Sequence, residues 1–223
     1  MYMDIGAANL QEANEMGVDV GTYISLDATA EIVNKKYLRG KALDNRIAIA
    51  LLIDVARNLE KRDLPFDLYF CFPVMEEFNI RGLLPVYRKI KPDISIGIDV
   101  TPSCDTPDLD YNNIALGDGP AVTCMNFHGG GTLAGVLPDE KLYSMVLNSA
   151  KNNKVKIQKE VSPGIITENA FGIFENESGI RVLNLSIPTR YTHTPIETQS
   201  LEDIQSLKKL INSVLLNDLQ DVL

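Results

Sequence analysis

The 223-residue sequence is poor in cysteine and histidine. Its three cysteines, Cys71, Cys104 and Cys124, are odd in number and far apart, and none forms a Cys-x-x-Cys pair. They build neither a disulfide framework nor a thiolate zinc site, and a reduced state is expected. No apolar run approaches the roughly 20 residues that cross a bilayer, so no membrane partner is expected. Residues 1–17 lack the basic and apolar regions of a signal peptide, so the expected location is cytoplasmic. Lysine and arginine occur in runs no longer than a pair, and the net charge is −9. Such a chain matches a phosphate backbone badly, so nucleic acid is not an expected partner. Internal repeats and low-complexity segments are absent too.

What is present suits one large hydrophobic core, with 45% of residues hydrophobic. The first 40 residues have their own texture. Residues 2–5 read as a short strand, residues 7–16 as a helix ended by Gly17, and residues 22–37 as one or two strands. This predicts the end of a small β-rich module over residues 1–40, with a boundary near Arg39-Gly40 and an α/β domain over residues 41–223.

Within that domain apolar runs alternate with helices, the pattern of a layered α/β fold. Residues 44–62 read as a helix so densely apolar that most of its surface should be buried. Residues 66–72 and 94–100 read as strands, the second apolar on both faces and therefore central. Residues 81–91 suit a helix, and residues 121–127 and 181–187 two further strands. Pro138-Asp139-Glu140 opens a helix, and Ser200 caps the last one, whose stripe runs Leu201, Ile204, Leu207, Leu210, Ile211, Val214 and Leu215. The expected architecture is a mostly parallel central sheet flanked by helices.

Acidic side chains fall where such a sheet presents residues to ligands. Asp44 stands before the first long helix, Glu76 and Glu77 beyond a strand, and Asp99 near the end of the next. His193 follows the strand of residues 181–187 in the same way. Carboxylates with a histidine suit zinc, cobalt or manganese. Each residue also has a plainer explanation. Asp44 could cap its helix, Glu76-Glu77 could be a solvated turn, and His193 could be an ordinary surface or core histidine. Asp99 is harder to dismiss, because an unpaired charge in an apolar strand costs several kcal/mol, roughly, and needs a partner.

Five segments carry a resemblance when taken together. They are Gly40-Lys41-Ala42-Leu43-Asp44-Asn45-Arg46, Glu76-Glu77 followed by Arg81-Gly82, Asp99 in its strand, Gly117-Asp118-Gly119-Pro120, and Arg190-Tyr191-Thr192-His193-Thr194-Pro195. Their order and spacing resemble the C-terminal part of the glutamyl or tetrahedral aminopeptidase family, whose members are often labelled endoglucanase or cellulase M. Asp105-Thr106-Pro107-Asp108 and the stretch from Phe127 to Leu133 are most similar to the branch found near sugar-phosphotransferase genes.

The resemblance implies a zinc-aminopeptidase-like fold in which residues 1–40 end an inserted β-rich dimerisation domain. It implies two divalent metal ions, zinc or cobalt, with Asp44 bridging them. Glu77 and His193 would complete one ion, Asp99 would ligate the second, and Glu76 would be the general base. It also implies short peptide substrates and a homo-oligomer, a dodecamer built from dimers. In the family a His-x-Asp motif supplies a further ligand and orients the base. This sequence has only His128 and His193, neither in such a motif.

Three functions follow for comparison. The first is a metalloaminopeptidase using metal-activated water, impaired in this chain by the missing ligand. The second is a non-catalytic relative that keeps a partial metal site. The third is a glycosidase, which needs two carboxyl groups about 5–10 Å apart across a cleft, and the adjacent Glu76-Glu77 pair weighs against it.

Overall fold

The computed structural model describes residues 3–78, 80–107, 109, 112–127, 135–163 and 179–223. His128 and the glycines after it, and Asp108, lie outside the described residues.

Among the described residues, five α-helices and an eight-stranded sheet form an α/β layer structure. The elements before the first long helix are α1 (Leu10–Glu15), β1 (Glu31–Val33) and β2 (Tyr37–Gly40). They are followed by α2 (Leu43–Leu59), α3 (Leu83–Ile90), β3 (Ile94–Pro102), β4 (Ala121–Phe127) and β5 (Gly135–Val136). The remainder is α4 (Glu140–Asn152), β6 (Gln158–Pro163), β7 (Arg181–Arg190), β8 (Glu197–Ser200) and α5 (Leu201–Ser213).

The sheet is mixed, not mostly parallel as the apolar strands predict. Among the described residues β3–β7 and β4–β6 are parallel, and the other five pairings are antiparallel. Apolar faces report burial and leave strand direction open, because a covered antiparallel strand is as apolar as a parallel one. The central strand is β7, whose eight inner residues are all buried and which pairs with β3, β4 and β8. β3 pairs with β7 alone among the described residues, so its two-faced apolar character does not make it central.

At the N-terminus the strands are shorter than the β-rich texture of residues 22–37 predicts. Residues 22–30 carry no strand, and the β1–β2 hairpin joins the main sheet through antiparallel pairing of β2 with β8. Residues 66–70 alternate between half-buried and exposed like a strand, yet no ladder hydrogen bond joins residues 66–72 to another strand among the described residues. Phe66, Leu68 and Phe70 still lean on the core.

The main core gathers α2, α4 and α5 against the sheet, with Val55, Leu142, Leu183, Leu185, Ile187 and Leu207 fully buried in it. α2 buries a single stripe, Ala48, Leu51, Val55 and Leu59, at helical spacing. It is less covered than its composition predicts, since Ile49 and Ile53, one turn apart, are each 41% exposed. Asp139 caps α4 by accepting from the Leu142 N–H at 3.0 Å, and Ser200 caps α5 by accepting from the Asp203 N–H at 3.4 Å.

The Gly117-Asp118-Gly119 turn is held to this scaffold by the buried Asp203. Its two carboxylate oxygens accept the Gly117 and Gly119 N–H groups, each at 2.8 Å. A Cβ at Gly119 would lie 2.2 Å from the Lys156 carbonyl oxygen, so the turn requires glycine there.

Candidate metal centre

Three chain segments meet at one end of the sheet. The first leaves β2 at Gly40 and enters α2. Ala42 takes left-handed angles (φ 53°), and Asp44 and Asn45 depart from helical geometry before the regular turns begin. The second follows residues 66–72 and closes into a single 3-10 turn, Glu76–Phe78. There Met75 is left-handed (φ 62°), and the Ile80 N–H donates to the Glu76 carbonyl at 2.8 Å. Ile80 is buried and pins the turn from below. A Cβ at Gly82 would lie 2.0 Å from the Val74 carbonyl oxygen, so only glycine lets the start of α3 approach this turn so closely.

The third segment links β7 to β8. Arg190, at the end of β7, donates through Nε to Asp105 Oδ1 at 2.8 Å, which fixes the start of the turn. Burial alone would raise the Asp105 carboxyl, but hydrogen bonds from Arg190, Ser103 and the Leu116 N–H outweigh it and hold the pKa at about 2. Tyr191 (φ 59°) and His193 (φ 62°) are both left-handed, an unfavourable state for side chains of this size.

The structure brings Asp44, Glu77 and His193 together. His193 Nε2 lies 3.2 Å from Asp44 Oδ2 and 3.2 Å from Glu77 Oε1, and one donor atom of each lies within 4.8 Å of the others. The Asp44 side chain is well covered at 14% exposure, while Glu77 and His193 open to solvent.

Glu76 is half-buried beside the cluster. Burial first, then the charges of Glu77 and Asp44, push its carboxyl up to about 7, and His193 offsets part of this. Burial likewise leads in raising Asp44 to about 6, followed by Glu77 and Glu197, with His193 again opposing. Four carboxylates around one imidazole are a site short of positive charge. Two carboxylates and an imidazole at this spacing are the donor set that zinc and similar borderline cations accept.

Asp99 is not part of that donor group. It is buried in β3, where its Oδ1 accepts from the Asn45 side-chain amide at 3.1 Å and from the Val100 N–H at 2.8 Å. Asn45 also donates to the Ile98 carbonyl at 2.8 Å, so Asp99 reaches the cluster through the neighbour of Asp44.

Sequence reasoning missed Glu197. Its carboxylate is buried and accepts the Asp44 N–H at 2.9 Å and the His193 N–H at 2.8 Å. The only signal was an acid four residues after His193, which alone reads as an ordinary surface glutamate.

The family model described as M42 glutamyl aminopeptidase matches residues 1–210. The chain belongs to the M42 glutamyl aminopeptidase family. A protein of Escherichia coli (strain K12), provisionally named aminopeptidase SgcX, is 41% identical over 215 residues, which cover 96% of this chain and 57% of that protein. Among solved structures, the TET aminopeptidase of a marine-sediment Thaumarchaeota archaeon superposes with a TM-score of 0.86 at 27% identity, covering 98% of this chain and 61% of that one. The TET1 peptidase of Pyrococcus horikoshii, which can assemble into a tetrahedron or a large octahedral shell, superposes at 0.78 with 26% identity, covering 96% of this chain and 60% of that one. The chain thus spans about three fifths of the length of these M42 relatives.

Proposed function

We propose that this chain is a metal-dependent aminopeptidase that removes N-terminal residues from short peptides. The observation that carries the proposal is the convergence of Asp44, Glu77 and His193, with Glu76 beside them, in a chain of the M42 family.

Asp44, Glu77 and His193 would hold one divalent cation, zinc or cobalt, and Asp99 would contribute to a second beside Asp44. Such cations acidify water and polarise a peptide carbonyl. The chain's own groups do the rest. Glu76 follows the left-handed Met75, and the close contacts to the His193 imidazole come from Asp44 and Glu77, which leaves the Glu76 carboxylate to act on a proton. With a pKa near neutrality it can accept a proton from the attacking water and return it to the departing amine. The shielded Asp44 holds its position while the exposed Glu77 and His193 leave an approach for a peptide N-terminus.

Catalysis by this chain alone should be slow. The sequence contains no His-x-Asp, and Asp99 stands outside the three-donor group among the described residues. That arrangement also gives the second reading its footing, a relative that retains one cation and no longer turns over substrate. The division into residues 1–40 and 41–223 belongs to the same proposal. So do a cytoplasmic location and a homo-oligomer, the latter by analogy with the TET1 assemblies.

The test is an assay on aminoacyl-nitroanilides with zinc, cobalt or manganese. It is run on this chain, on Glu76→Gln, and on a form carrying a fused His-x-Asp segment. Metal-dependent release that rises in the fused form and vanishes in Glu76→Gln supports the enzyme. Silence of every form supports the non-catalytic relative.

A further inference from the structure

We infer that Glu197 is a positioning residue for the cation-binding cluster, one carboxylate fixing the backbones of two ligand residues at once. The inference rests on the metal-binding reading above and adds to it the device that holds the cluster in register.

Glu197 is the first residue of β8, opposite Gly40 in the antiparallel ladder, and only 2% of it is exposed. One oxygen accepts the Asp44 N–H at 2.9 Å, and the other accepts the His193 N–H at 2.8 Å. No lysine, arginine or histidine forms an ion pair with it among the described residues. A carboxylate withdrawn from water without a cation is costly unless its oxygens are satisfied, and here the two amides satisfy them.

The position of these amides matters more than their number. The His193 imidazole is 65% exposed, so packing does little to hold it. Its backbone is left-handed, a state a non-glycine residue keeps only when its surroundings impose it. Asp44 lies outside helical geometry, where the α2 ladder does not hold it. The Glu197 carboxylate couples both residues through two short bonds, and Oδ2 of Asp44 and Nε2 of His193 face each other at 3.2 Å.

The residue type is specific to this task. A carboxylate gives each of the two N–H donors an acceptor oxygen of its own and brings no donor of its own to the pair. Glutamine would turn a donor toward one amide, and aspartate would fall short by one methylene.

The experiment measures zinc affinity of the full chain by competition with a chromophoric chelator, and records the visible spectrum of the cobalt(II) form. Both are repeated for Glu197→Gln and Glu197→Asp. Loss of a partner that orients a ligand typically weakens metal binding about 10–100-fold, and that loss is expected for both variants, with an altered cobalt spectrum. A merely structural role would lower the melting temperature and leave the affinity of the folded protein unchanged. If the variants fail to fold, amide hydrogen exchange on the unsubstituted chain decides. Slow exchange at His193 and Asp44 supports the inference, and free-peptide rates overturn it. Unchanged zinc affinity in folded variants overturns it while leaving the metal site standing. Failure of the unsubstituted chain to bind zinc or cobalt overturns both.

Discussion

The Nε2 atom of His193 and the Oδ2 atom of Asp44 lie 3.2 Å apart, although one residue stands at the head of α2 and the other in the turn between β7 and β8. Neither element touches the other through this pair alone. β2 delivers the first and β7 the second, and β8, paired with both strands, sets the spacing. Replacing His193 with alanine, or Asp44 with asparagine, removes a direct ligand. The expected loss of zinc affinity exceeds the roughly 10–100-fold typical of an orienting partner. A competition titration checks it.

Gly82 tests how the second segment is held. Gly82→Ala would place a methyl 2.0 Å from the Val74 carbonyl oxygen, which is backbone and cannot swing aside. A forced insertion of this kind costs about 1–3 kcal/mol. Denaturant unfolding should show that loss, and zinc affinity should fall with it, because relief of the clash shifts the Glu76–Phe78 turn.

The pH dependence of the cation-free protein has a definite sign. Asp44 and Glu76 titrate at about 6 and about 7 in the folded chain, above their ordinary 3.8 and 4.5, chiefly because both are buried. Between about pH 4 and 7 the folded state therefore keeps protons that the unfolded chain releases, and stability falls as pH rises through that window. Zinc binds the deprotonated site and reverses the trend. Melting temperatures measured from pH 4 to 8, with chelator and with zinc, should diverge as pH rises.

Much of this architecture can be read in the residues. The stripe of α5, its Ser200 cap and the buried run of β7 follow from local periodicity and capping. Strand direction does not, because it is decided by which distant segment pairs with which. Residues 66–70 keep the alternation of a strand without a ladder among the described residues, for the alternation records burial of Phe66, Leu68 and Phe70 and says nothing about a hydrogen-bonding neighbour. Ile49 and Ile53 show the converse, apolar residues on a helix face that the described chain leaves open. At the site, Asp44, Glu77 and His193 stood out only through their combination of motifs. Glu197 was hidden because it works through backbone amides, which leave no trace in residue type.

Self-association is expected in solution. Tyr69, Phe72, Val74, Met75 and Phe78 are each at least 45% exposed, on and beside the segment of residues 66–72, which has no ladder partner among the described residues. Exposed edges and apolar surface of this kind recruit other chains. Sedimentation velocity over a concentration series should report species heavier than one chain, and a strict monomer at high concentration would contradict the expectation.

The most direct test of the central claim is the release of nitroaniline from aminoacyl-nitroanilides by this chain and by Glu76→Gln, each with zinc or cobalt and again with chelator. The account predicts slow release that needs the cation and falls about 10²–10⁴-fold in Glu76→Gln, the range ascribed to a general base. Release that survives both the chelator and the substitution would contradict it.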